Sequence, residues 1–103
     1  MSDKIFSIDE IKRIVVPIAE KYDVDRVFLF GSYARGNANA ASDLDFVIDK
    51  GRLSGLRFAG MLGDLQDHFD KNVDLLTSSS LMKDDRYPNF KQKIEKDMIV
   101  IYE

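Results

Sequence analysis

Asp43 and Asp45 stand two residues apart at the head of an apolar run that continues through Ile48. On a β-strand, side chains two apart share a face, so these carboxylates should project together. Two anions side by side repel unless a proton or a cation sits between them. A divalent cation that prefers oxygen, Mg²⁺ or Mn²⁺, removes that repulsion. A third acid, Asp74, lies between Val73 and Leu75 in another apolar run. An acid there makes sense if it faces a ligand, and an adjacent strand would bring it beside the first two. Taken alone, the Asp43/Asp45 pair fits a solvent-exposed strand face as well as a metal site, because short motifs also match by chance.

Ahead of the acids, Val27-Phe28-Leu29-Phe30 runs into Gly31-Ser32. A strand that ends in glycine and turns into a helix leaves backbone N–H groups free at the turn. Those donors attract anions, and the Ser32 hydroxyl adds another. Gly31 has no Cβ to hold a phosphate away from the backbone. By itself Gly31 also reads as a simple turn glycine. Arg35 fits either a phosphate-neutralising cation or a solvated surface charge, and Gly36 is suited to end the short helix. The ordered set says more than its parts. A phosphate cradle, a same-face acid pair and a third strand acid are what metal-assisted nucleotidyl transfer requires. In that chemistry two cations about 4 Å apart activate the attacking oxygen and stabilise the leaving oxygen.

These residues must be positioned by regular elements. Ser7 and Glu10 form a capping-box pattern, followed by Ile8, Ile11, Val15, Ile18 and Tyr22 at helical spacing. Pro17 inside that helix should kink it or open it locally. Strands are expected over 27–30, 43–48, 72–77 and 98–102, with a short helix starting within 32–36 and a small-residue loop at 37–41. A second amphipathic helix is expected after a 51–55 turn, with Ser54 as N-cap and Leu56, Ala59, Leu62, Leu65 and Phe69 as its apolar face. Gly60 and Gly63 weaken it. A serine-rich loop, a polar stretch broken by Pro88 and a short helix over 90–97 complete the chain. Strands interleaved with helices predict a single two-layer α/β (α+β) domain over residues 1–103, with a mixed sheet of about four strands.

Composition narrows the chemistry. The chain has 103 residues, no cysteine and one histidine, so disulfides, thiol catalysis and Cys- or His-rich metal sites are excluded and any metal must be held by oxygen. Its 45% hydrophobic and 32% charged residues are those of a soluble globular protein. No apolar stretch approaches the roughly 20 residues of a membrane span, and the N-terminus has no signal-peptide pattern, which predicts a cytoplasmic protein. A formal net charge of −3 gives no strong nucleic-acid footprint and favours small-molecule or protein substrates. His68 reads as a helix-surface or packing residue, Tyr33 as a packing residue, and Met61, Met82 and Met98 as gap-fillers.

Gly31-Ser32-Tyr33-Ala34-Arg35-Gly36, followed by Ser42-Asp43-Leu44-Asp45, resembles the GSxxRG…SDxD signature of the DNA polymerase β-like nucleotidyltransferase superfamily. Within it, the short chain is similar to the minimal nucleotidyltransferases of bacteria and archaea, and the likeness covers nearly the whole length. The resemblance implies that Asp43, Asp45 and Asp74 are catalytic and bind Mg²⁺, and that Gly31 and Ser32, with Arg35, hold the triphosphate of ATP. It also implies a partner: a small helical HEPN ribonuclease toxin, neutralised by transfer of AMP onto a tyrosine. A homo- or hetero-oligomer is expected accordingly. The alternative is a non-catalytic antitoxin or binding module that neutralises its partner by occlusion, covering exposed strand edges as it does so.

Overall fold

The computed structural model describes residues 4–49, 51–78 and 98–103. Among these the elements run α1 (Ile8–Tyr22), β1 (Arg26–Phe30), α2 (Gly31–Arg35), β2 (Leu44–Asp49), α3 (Leu56–Phe69), β3 (Val73–Thr77) and β4 (Ile99–Tyr102). The strands form one mixed sheet in the order β3-β2-β1-β4. β1 pairs antiparallel with both β2 and β4, while β2 and β3 are parallel. Parallel neighbours need a crossover, and α3 supplies it. The expected two-layer arrangement of a four-stranded mixed sheet and packed helices is the one observed. The helix expected over 90–97, the residues around Pro88 and most of the serine-rich loop lie outside the described residues.

α1 begins as its sequence predicts. Ser7 Oγ accepts from the Glu10 N–H, and Glu10 Oε1 accepts from the Ser7 N–H, each at 3.1 Å. Ile11, Val15, Ile18, Ala19 and Tyr22 are buried along one face. The expected opening at Pro17 is not seen, and the helix continues unbroken through it. Its Ile18 neighbour is buried against the sheet side of the core, so tertiary packing compensates for the N–H that proline lacks. Asp23, at φ 56°, closes the helix in the left-handed region.

α3 buries Leu65 and Phe69 as expected, with Leu62 packed on the core, but departs from expectation in its first turn. Met61, Leu65 and Phe69 are buried, whereas Ala59 is exposed and Leu56 is 91% exposed. The apolar stripe therefore starts at Phe58 and runs through Met61, and Met61 is a core residue with no accessible surface. Leu56 matches the helical period, but it is the first residue of the helix and is left in solvent. Ser54 is not the N-cap. Gly55 holds that position at φ 55°, with no side-chain hydrogen bond, and Ser54 contributes only its carbonyl to the Arg57 N–H at 3.2 Å. Gly60 has a structural reason: a Cβ there would come within 3.0 Å of the Tyr22 hydroxyl. That hydroxyl donates to Asp64 Oδ2 at 2.8 Å, which also receives Lys21 Nζ at 2.8 Å, joining α1 to α3.

The core lies between these helices and the sheet. Val27 and Leu29 of β1, Leu44, Phe46 and Ile48 of β2, and Val73 and Leu75 of β3 point into it. Phe69 anchors the α3 end, with its ring 5.1 Å from Phe6, edge-on, and 6.0 Å from Phe46. No helix among the described residues is long and apolar enough to cross a membrane. The corrected α3 stripe is open to test by urea denaturation. Leu65→Ala should cost about 2–5 kcal/mol. Leu56→Ala should stay within about 0.5 kcal/mol.

Candidate functional site

The alternation along β2 that buries Leu44, Phe46 and Ile48 turns Asp45 to the opposite face. β3 does the same, burying Val73 and Leu75 and exposing Asp74. The parallel register sets Asp45 directly opposite Asp74. Asp74 is close enough across this pair to act on the Asp45 carboxyl. Asp43 lies one residue before β2, is exposed, and is close enough for its charge to act on Asp45. All three acids are thus brought to one end of the β2–β3 pair. Asp45 and Asp74 are register partners, while among the described residues no three acidic or histidine side chains stand gathered as a ready ligand set.

Electrostatics at Asp45 follow from that placement. Its carboxyl is pushed up from 3.8 to about 7, first by burial, then by the hydrogen bond to Asp74 and the charges of Asp74 and Asp43. Arg35 opposes the rise from α2. Half-buried Asp45 beside exposed Asp74, with a third carboxylate nearby and only oxygen donors, is a donor set suited to a hard divalent cation. Such an ion would replace the proton that Asp45 keeps and offset the charges of Asp74 and Asp43 that add to the effect of burial.

β1 delivers the other half of the site. Phe30, the last residue of β1, is opposite Asp45 in the antiparallel register, so the turn into α2 begins beside the acids. Gly31 has φ +75°, and a Cβ on it would collide with Asp45 Oδ2. The glycine is therefore required by the carboxylate as well as by its backbone angle. No side chain caps the start of α2, which leaves the amides of its first turn without a side-chain acceptor. Ser32 is part-buried at that turn, and Arg35 is exposed one helical turn on. Gly36, at φ +78°, closes α2 with its N–H directed to the carbonyls of Ser32 and Tyr33. Tyr33 packs in the core, as expected, and its hydroxyl has no hydrogen-bond partner among the described residues. His68 is exposed, with Nδ1 2.8 Å from the Asp64 carbonyl, and lies on α3 away from the acids.

The sequence reading missed Lys71. It is 6% exposed, and its Nζ donates to the Ala40 carbonyl at 2.8 Å. A lysine between Asp70 and Asn72 in a polar stretch carries no mark of burial. Only the loop folding over it reveals the contact.

The Asp45 shift has a consequence for the metal-free protein. Its folded pKa, about 7, lies above the ordinary value of 3.8, so between these the folded state keeps a proton that the unfolded state has released. Its contribution to stability is therefore full below the lower value and is lost as pH rises through the upper one. Thermal unfolding in chelator should show wild type losing stability relative to Asp45→Asn from about pH 4 to 7, with the asparagine variant the more stable at pH 8. A parallel pH dependence in both proteins would refute the raised pKa of Asp45.

Comparison with known proteins agrees with this geometry. A family model described as a nucleotidyltransferase domain matches residues 8–101. A Methanocaldococcus jannaschii protein named "Putative protein adenylyltransferase MJ0435" is 34% identical over 94 residues, covering 90% of this chain and 96% of that protein. "Protein adenylyltransferase MntA" of Thermococcus cleftensis is 32% identical over 82 residues, covering 75% of this chain and 83% of that protein. In fold, the chain is similar to a crystal structure described as "the toxin-antitoxin with AMP-PNP", with TM-score 0.69 and 18% identity over 88% of this chain and 72% of that one. A mutant of the toxin-antitoxin MntA-HpeT gives TM-score 0.66 and 15% identity, over 88% of this chain and 71% of that one. With its glycine turn and paired aspartates inside a match that spans nearly its whole length, this chain belongs to the nucleotidyltransferase family and is a nucleotidyltransferase.

Proposed function

We propose that this protein transfers AMP from ATP to a tyrosine hydroxyl of a HEPN-type toxin partner in the cytoplasm, and so acts as an antitoxin. The observation that carries the reading is the juxtaposition of Asp45 with Asp74 across parallel strands, beside the Gly31 turn. The relatives named as protein adenylyltransferases, each above 30% identity, support a protein acceptor. The toxin–antitoxin assemblies among the structural neighbours share the fold and suggest the setting.

In this reading Asp43, Asp45 and Asp74 are the catalytic acids and would hold two Mg²⁺ ions, or Mn²⁺ in their place. Bound there, the metal would supply charge neutralisation for the transfer. Gly31 and Ser32 present backbone and hydroxyl donors to the triphosphate, and Arg35 offsets its negative charge. The acceptor oxygen forms a bond to the α-phosphorus as the bond to the bridging oxygen breaks, and pyrophosphate leaves. The hydroxyl proton passes to the carboxylate group. Asp45 and Asp74 hold the same end of the sheet throughout, because their separation is fixed by strand register rather than by loop conformation.

Incubation with a candidate HEPN partner, ATP and Mg²⁺ should add the mass of one AMP group, or a whole number of them, to the partner. A D43N/D45N double variant, shown to be folded, should abolish the addition and the neutralisation together. Loss of AMP transfer with neutralisation retained would instead support occlusion by the domain surface. If no mass is gained while ATP binds normally, AMP transfer to that partner is ruled out.

A further inference from the structure

Lys71 is the one charged side chain found buried among the described residues. Withdrawing an ammonium group from water is costly unless acceptors replace the lost hydration. Among the described residues, its hydrogen bond is to one carbonyl, that of Ala40, 31 residues away in the chain. The two ends of that bond are matched to the site. Ala40 is three residues before Asp43, and Lys71 is three residues before Asp74. Between the strut and the acids the chain is already zipped: the Leu44 N–H donates to Asn72 O at 3.1 Å, then Leu44 pairs with Val73 and Asp45 with Asp74.

The segment held by Lys71 behaves as one piece. Ser42 Oγ accepts from the Asn39 N–H and Asn39 Oδ1 accepts from the Ala41 N–H, both at 2.9 Å. The Ser42 N–H returns to Asn39 O at 3.0 Å. These bonds brace residues 39–42 internally but anchor them to nothing else. Lys71 provides the hydrogen bond that fastens this turn to a distant segment. Asp43 follows the turn immediately and lies outside β2, so strand register does not fix it as it fixes Asp45.

We propose that Lys71 is a positioning residue: by tying the 39–42 turn to the head of β3 it holds Asp43 at the same end of the β2–β3 pair as Asp45 and Asp74, and so sets divalent-cation affinity. The proposal rests on the reading of these three acids as the metal site. Its energetic signature differs from that of a residue that merely supports the fold, because the loss acts through Asp43 and leaves the Asp45–Asp74 register intact.

The test is Mn²⁺ binding to the full chain, followed by the electron paramagnetic resonance of free Mn²⁺ in the presence of a non-hydrolysable ATP analogue. Lys71→Met should weaken Mn²⁺ about 10-fold, the scale typical for residues that orient metal ligands. Lys71→Arg, which keeps a charged donor of similar reach, should recover most of that loss. Lys71→Gln, polar but too short to reach Ala40, should behave as Lys71→Met and replaces it if the methionine variant does not fold. In an Asp43→Asn background, Lys71→Met should cause no further loss, since the ligand it positions is already gone. Wild-type Mn²⁺ affinity in a folded Lys71→Met or Lys71→Gln protein would overturn the proposal, as would losses that multiply with Asp43→Asn. Asp45→Asn separates the two levels of the argument. If that variant keeps wild-type affinity the metal-site reading itself fails, whereas if it loses affinity and Lys71→Met does not, only the role of Lys71 fails.

Discussion

Two carboxyl groups held face to face across parallel strands set the terms for the rest of the molecule. Asp45 and Asp74 repel whenever both are ionised, so the pairing must be imposed by something stronger. It is imposed by the other face of the same strands. Leu44, Phe46, Val73 and Leu75 are buried, and a one-residue slip of either strand would turn its aspartate into the core and its apolar side chains out. The hydrophobic core thus fixes the register, and the register fixes the acids. α3 matters to the site for this reason alone: as the crossover between β2 and β3 it makes the pair parallel, which places Asp45 and Asp74 at the same end of the sheet.

The same repulsion explains neighbouring choices of residue. Gly31 accommodates the Asp45 carboxylate, where any side chain would collide with it, and its positive φ turns the chain from β1 into α2. Arg35 lies near enough to oppose the raised pKa of Asp45. A site assembled in this way is electrostatically strained in the metal-free protein, where burial and neighbouring carboxylates both act against ionisation of Asp45. The core beneath it, with Phe69 packed against Phe6 and Phe46, is what tolerates that strain.

Much of this arrangement was legible in the residues. The capping box of α1, the end of β1 at Gly31 and the alternation around Asp45 each follow from local chemistry, and each is found in place. The position of Asp74 beside Asp45 required strand order, which periodicity does not carry. It was inferred from the oddity of an acid between Val73 and Leu75. The α3 stripe was misjudged by one step at its start because Leu56 matches the helical period yet is left in solvent. Ser54 has the right chemistry for an N-cap, but the left-handed angle at Gly55 moves the boundary past it. Lys71 was illegible for a different reason: burial of a lysine depends on a loop from the other end of the site, and no local pattern reports it.

The central claim is that the proton kept by Asp45 beside Asp74 occupies the place of a divalent cation. Calorimetric titration of Mg²⁺, with a non-hydrolysable ATP analogue present, tests it most directly when run near pH 6.5 in two buffers of different ionisation enthalpy. The account predicts that binding releases close to one proton per site, because Asp45, with its pKa near 7, is largely protonated beforehand. It also predicts that Asp45→Asn removes both the release and most of the affinity. Mg²⁺ binding of equal strength in that variant, with no proton released by the wild-type protein, would contradict it.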